Sequence, residues 1–194
     1  PIKTGWHFGL AFPILCDPRL PDERQVLGSA FCRTMGYVLL RSGFDTPDET
    51  VVTLRAGRRT WHAGSDLASI DLFSHGIPLA LGSQSGPYDG PEIEWNRSQQ
   101  SNNVVVFGGR SRDRGRENEG KIVAWRSTPG ADYVVADCSI RNKFTWRRHL
   151  MLVKQPDYLV VWDEISSKLS SEYFLHTTAT SLRWGDHRVI SRTA

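Results

Sequence analysis

The chain is 194 residues long, 39% hydrophobic and 23% charged, with a formal net charge of +3. A chain of this size buries roughly two-thirds of the surface it exposes when unfolded, and its apolar content excludes an intrinsically disordered protein. No stretch approaches the roughly 20 apolar residues that span a bilayer, the first residues lack a signal-peptide pattern, and a charge of +3 is too weak to argue for nucleic acid.

Pro13, Pro18 and Pro21 punctuate an irregular lead-in over residues 1–34, in which Asp22–Arg33 reads as one short helix. From Met35 the texture becomes β-prone. Met35–Arg41 is apolar, Thr50–Leu54 follows a Pro47-Asp48 turn, and Asp66–Ser74 alternates, with Ala68, Ile70 and Leu72 on the face expected to meet a core. His75-Gly76 reads as a hairpin turn into Ile77–Leu81, whose Pro78 belongs at an edge or a strand start. The later candidates are Asn103–Phe107, Lys121–Arg126, Tyr133–Cys138, Phe144–Val153, Tyr158–Asp163 and Glu172–Thr178. About ten short strands, roughly 10–14 residues apart and with little helical periodicity, predict an all-β chain of stacked antiparallel sheets, a β-sandwich. The arginine-rich segment Arg110–Gly120 reads as a solvated hairpin loop. No internal repeat is present, and residues 35–194 read as one domain.

Cys16, Cys32 and Cys138 are too few for a disulfide framework, and without a Cys-x-x-Cys they read as small buried hydrophobes. Gly82-Ser83-Gln84-Ser85-Gly86 has the wrong spacing for a serine nucleophile elbow. Phosphate-binding glycine loops and His-Glu-x-x-His pairs are absent. The segment that stands out is Trp61-His62-Ala63-Gly64-Ser65-Asp66. It places a histidine, which titrates near neutral pH, four residues before a carboxylate at the start of the best alternating segment.

The order His62, Asp66–Phe73, Gly76-Ile77-Pro78-Leu79, Gly86-x-Tyr88 and Asn102-Asn103-Val104-Val105-Val106 resembles the C-terminal β domain of the heparinase II/III-like polysaccharide lyases. Gly36–Gly43 is similar to that family's first strand. Trp146–Val153, Pro156–Glu164 and Phe174–Thr177 are similar to its late strands. The resemblance implies a supersandwich-like fold that works beside an N-terminal α/α toroid absent from this chain, in a secreted or periplasmic bacterial enzyme. It implies β-elimination on an acidic, uronate-containing polysaccharide, with His62 in proton transfer or carboxylate binding. Asp66, Tyr88, Asn103 and Arg147 are the candidate substrate contacts. Arg147 and Arg148 alternate on one strand, so one points in and the other out.

Family members carry a zinc held by the second His of a His-x-His pair, a carboxylate and the His of a His-Asn pair. The corresponding positions here are Gly64, Gly82-Ser83 and Asn102, so the resemblance implies a metal-free relative without a cofactor. A face left bare by the missing toroid would favour association of two copies. Neither a nucleic acid nor a membrane partner is implied. The competing expectation is a carbohydrate-binding or scaffolding β-sandwich that binds without cleaving.

Overall fold

The computed structural model describes residues 28–44, 46–57, 65–82, 90–109, 119–179, 181–185 and 188–192. Strands β1 (Ala30–Cys32), β2 (Tyr37–Arg41), β3 (Thr50–Arg55), β4 (Ile70–Ser74) and β5 (Ile77–Ala80) form a five-stranded antiparallel meander in chain order. A short helix, α1 (Ile93–Arg97), and strand β6 (Val105–Phe107) follow. Strands β7 (Lys121–Ser127), β8 (Ala131–Asp137), β9 (Phe144–Lys154) and β10 (Asp157–Ser167) form the second antiparallel sheet, in the order β10-β9-β8-β7. Strand β11 (Ser171–Tyr173) returns to pair with β6, and β12 (Ser181–Gly185) pairs with β13 (Arg188–Arg192).

The alternation of β9 shows why these segments are strands. Phe144, Trp146, Arg148, Leu150 and Leu152 are buried, while Thr145, Arg147 and Met151 are exposed. Val38, Leu40, Val52, Leu54 and Ile70 of the first sheet share one core with Val134, Ala136, Trp146, Leu150 and Leu152 of the second. Each large side chain buried there contributes about 1.5–3 kcal/mol. Phe107 stacks on Phe144 with centroids 3.9 Å apart, which ties β6 to β9. The all-β sandwich expected from the strand spacing is the observed fold.

The hairpin between β4 and β5 turns at His75 and Gly76, with φ of 54° and 73°. Two successive positive values make the type I′ geometry that suits twisted strands. Pro78 lies on β5, at the edge of its sheet, where a missing N–H does no harm. At the other end of the sheet, Gly36 (φ 63°) lies directly against Gly57, and a Cβ on Gly57 would fall 2.0 Å from the Met35 carbonyl oxygen.

Several expectations need correction. The final part of Asp22–Arg33 is strand β1, because pairing with β2 satisfies its backbone; residues 22–27 lie outside the described residues. The strand expected over Asp66–Ser74 starts only at Ile70, and residues 66–69 form a turn. Strict alternation would set Leu67 opposite Ala68, yet both are buried. Cys138 is buried as expected, but Cys32 is exposed. Helix α1 and the β12–β13 hairpin were not anticipated. The Arg110–Gly120 loop lies outside the described residues, apart from Glu119 and Gly120.

Candidate functional site

Two turns meet at one end of the sandwich. The first, residues 66–69, leads into β4. The ladder between β3 and β4 reaches only to Leu54 and Ile70, and beyond it Ala68 N–H donates to the Arg55 carbonyl at 2.7 Å. Arg55 Nη1 donates to Asp66 Oδ1 at 2.6 Å. Arg55 and Asp66 therefore close the base of the stretch that carries His62. The Ser65 hydroxyl secures the same end by donating to the Arg97 carbonyl at 2.9 Å. Burial pushes the Asp66 carboxyl above its ordinary range, and the opposing pull of Arg55 only partly offsets this. Tyr37 lies across from Arg55 on β2. Burial raises its hydroxyl pKa, and the negative charges of Asp66 and Asp71 raise it further.

The second turn, residues 99–104, precedes β6. Asn103 is wholly buried. Its N–H donates to Ser69 Oγ at 3.1 Å, its Nδ2 to the Ile70 carbonyl at 2.8 Å, and its Oδ1 accepts from His176 N–H at 2.6 Å. His176 Nε2 lies 2.7 Å from the Gln100 carbonyl and its ring stands edge-on to Trp95. Both ends of the Asn103 side-chain amide are therefore engaged within the protein.

Arg148 joins the two turns. It is fully buried on the inward face of β9, and its Nη1 donates to the carbonyls of both Ala68 and Asn103 at 2.7 Å. Its remaining nitrogens grip Asp163 on β10, and its guanidinium lies 5.2 Å from the ring centres of Trp146 and Tyr173. Arg148 thus supports Ala68 at a φ of 60°, which costs a residue with a Cβ on the order of 1 kcal/mol or more.

The structure therefore links the turn that begins at Asp66 to the turn that holds Asn103, through Ser69 and Arg148, and separates both turns from Arg147. Arg147 lies on the outward face of β9, 3.6 Å from Asp137 and 3.9 Å from Glu164. His62 and Tyr88 lie outside the described residues. Sequence reasoning did not single out Arg148, Arg55 or His176. A signal for Arg148 exists, since it shares parity with Trp146, Leu150 and Leu152 and so must face the core.

The positions that hold zinc in family members carry other groups here. Gly82 offers no side chain, and a Cβ there would stand 2.8 Å from Asn102 Oδ1. Asn102 spends its Nδ2 on the Ser98 carbonyl and Ser101 Oγ. Among the described residues no group of three His, Cys, Asp or Glu side chains converges as a metal site would require. Among the described residues, those at the corresponding positions do not fit the ion. Gly64 and Ser83 lie outside the described residues.

No curated protein matches the chain at a significant level. Among solved structures, a heparinase III with methylated lysines superimposes with a TM-score of 0.72 at 22% identity, over 86% of this chain and 26% of that one. The heparan sulfate lyase HepC from Pedobacter heparinus superimposes with a TM-score of 0.62 at 16% identity, over 75% of this chain and 23% of that one. These likenesses are of fold, and this chain spans about a quarter of the length of either protein. The sequence family described as heparinase II/III-like, C-terminal, matches residues 24–189. With that match over most of its length, and the matching sandwich, the chain belongs to the heparinase II/III-like C-terminal family of polysaccharide lyase domains.

Proposed function

We propose that this domain forms one wall of the active site of a lyase that cleaves a uronate-containing acidic polysaccharide by β-elimination. A base removes the C5 proton, and the electron pair forms the C4–C5 double bond. The C4–oxygen bond breaks, and the leaving oxygen is protonated. Because the C5 proton is weakly acidic, the sugar carboxylate must be neutralised as this happens. His62 moves the proton or binds the carboxylate. Asp66, paired with Arg55, fixes one end of the stretch carrying His62, and Asn103 positions the neighbouring turn. Tyr88 contacts sugar. The remaining groups come from an N-terminal toroid in the parent protein. This reading places the parent in the periplasm or outside the cell. No helix among the described residues is long and apolar enough to cross a membrane.

The observation that carries the reading is the convergence of residues 66–69 and 99–104 on Arg148. The two turns are distant in sequence and adjacent in space. The experiment is to incubate the full-length parent with uronate-containing polymers and follow the ultraviolet absorbance of the unsaturated product. His62→Ala should lower turnover by about 10²-fold or more with a nearly unchanged melting temperature. Near-normal turnover per folded molecule would remove His62 from the mechanism, and no absorbance change on any uronate polymer would overturn the lyase reading.

A further inference from the structure

A second group of side chains gathers on the opposite surface of the second sheet. Alternation along β9 and β10 sends His149, Met151, Val160, Trp162 and Glu164 outward, and Tyr133 joins them from β8. Trp162 is 62% exposed. One face of its indole stacks on His149, with centroids 4.7 Å apart and planes 22° from parallel. His149 is held in turn, with its Nδ1 2.7 Å from the Tyr133 hydroxyl. Among the described residues strand β10 is the edge of its sheet, and no further described strand of that sheet lies beyond it to cover the other face of the indole.

Beside this platform stands Arg147, with its side chain 46% exposed. Its approaches to Asp137 and Glu164, at 3.6 and 3.9 Å, are longer than hydrogen bonds. The guanidinium is thus held by charge alone and keeps donors for a ligand. Along the four strands the outward cations Lys121, Arg126 and Arg147 outnumber the outward anions Asp137 and Glu164.

We propose that this face is a glycan-binding surface, separate from the site around Asp66 and Asn103, and that it holds a strand of acidic polysaccharide. Trp162 takes the apolar C–H face of one sugar ring, and Arg147 takes an anionic group on that ring or the next. A sugar ring offers an apolar face and a polar rim together, which is what an exposed indole beside an arginine fork complements. A protein partner covering the indole would have to desolvate Arg147, Asp137 and Glu164 with it, at a cost that apolar contact must overcome. The surface serves whether or not the chain cleaves its ligand.

The test is titration of the chain with a heparan sulfate octasaccharide, followed calorimetrically, with neutral maltohexaose as a control. Trp162→Ala should weaken octasaccharide binding about tenfold or more, the scale of a central aromatic contact. Trp162→Phe should fall in between. Arg147→Gln should weaken binding several-fold and flatten its salt dependence. Ile77→Ala, on the exposed edge of the first sheet, should change nothing. Melting temperatures establish that the variants are folded. Wild-type affinity in a folded Trp162→Ala variant overturns the proposal, as does a wild-type chain that binds neither sugar. Binding that is equal for both sugars and insensitive to salt removes Arg147 from it. A dimer in sedimentation that Trp162→Ala dissociates would make this face a contact between copies and overturn the glycan assignment. None of these outcomes depends on the lyase assay of the parent, so the two readings fail separately.

Discussion

Arg148 and Asp163 face each other on neighbouring strands through two parallel hydrogen bonds, Nε to Oδ1 at 2.9 Å and Nη2 to Oδ2 at 2.8 Å. Asp163 also accepts from the Trp146 indole at 2.8 Å. Because the carboxylate occupies one side of the guanidinium, Nη1 is left for the carbonyls of Ala68 and Asn103. Asp163→Ala would strand a fully buried cation, and a loss of about 3–5 kcal/mol in urea unfolding is expected. Arg148→Lys should not restore wild-type stability, since an ammonium cannot reach all of these acceptors at once. A loss below about 1 kcal/mol for Asp163→Ala would show that the pair does not hold the two turns.

Ile70 opens β4 at 2% exposure and lies in the shared core. Ile70→Asp should therefore be insoluble or strongly destabilised, since an unpaired carboxylate there costs several kcal/mol. Soluble expression at the wild-type level would show that Ile70 does not face the core.

Gly57 has no room for a methyl group, because the carbonyl that would collide with it belongs to the backbone at Met35. Gly57→Ala should lower the melting temperature, with a cost of about 1–3 kcal/mol as the two strands part. Gly76→Ala in the β4–β5 turn meets open space and carries only the strain of its φ of 73°, about 1 kcal/mol. The two substitutions should differ in that order.

Asp66 is raised by burial and lowered by Arg55. Arg55→Gln removes the lowering influence, so the Asp66 carboxyl should titrate at a higher pH than in the wild type, as read by carbon NMR of its side chain. The sign for stability follows from linkage. A carboxyl whose pKa is higher folded than unfolded favours the fold more as pH falls through the window between those two values. The contribution of Asp66 is thus least favourable at neutral pH, and Asp66→Asn should flatten that part of the stability profile. A titration that moves downward in Arg55→Gln would reject the pairing.

Much of the fold was legible because strands of period two expose their faces to inspection. The segments around Thr50, Phe144 and Asp157 were found for that reason, and His75-Gly76 identified its own turn. Strand β1 was not legible, since three residues beside a possible helix start take their conformation from β2 rather than from themselves. The turn at residues 66–69 escaped for a related reason. Leu67 and Ala68 look like strand residues, and the bonds that hold a left-handed Ala68 come from the remote Arg148 and from Arg55. At the site, Asp66 and Asn103 are candidates by resemblance, but the engagement of the Asn103 amide depends on His176 and Ile70, which no local pattern connects. Arg147 was chosen over Arg148, although the parity of the strand assigns them opposite faces.

Each large sheet is assembled from consecutive strands, β1 to β5 in one and β7 to β10 in the other. The β4–β5, β7–β8 and β9–β10 hairpins close short loops and can form early, whereas the contacts of Arg148 with Ala68 and Asn103 span 80 and 45 positions of the chain and require both sheets to be in place. Folding should therefore proceed by two independent meanders that dock late. Substitutions at Ser69, Asn103 and Arg148 should quicken unfolding and leave the refolding rate nearly unchanged, while Gly76→Ala in the β4–β5 hairpin turn should slow refolding. The turns that build the candidate site would then be the last part of the domain to form and the first to open.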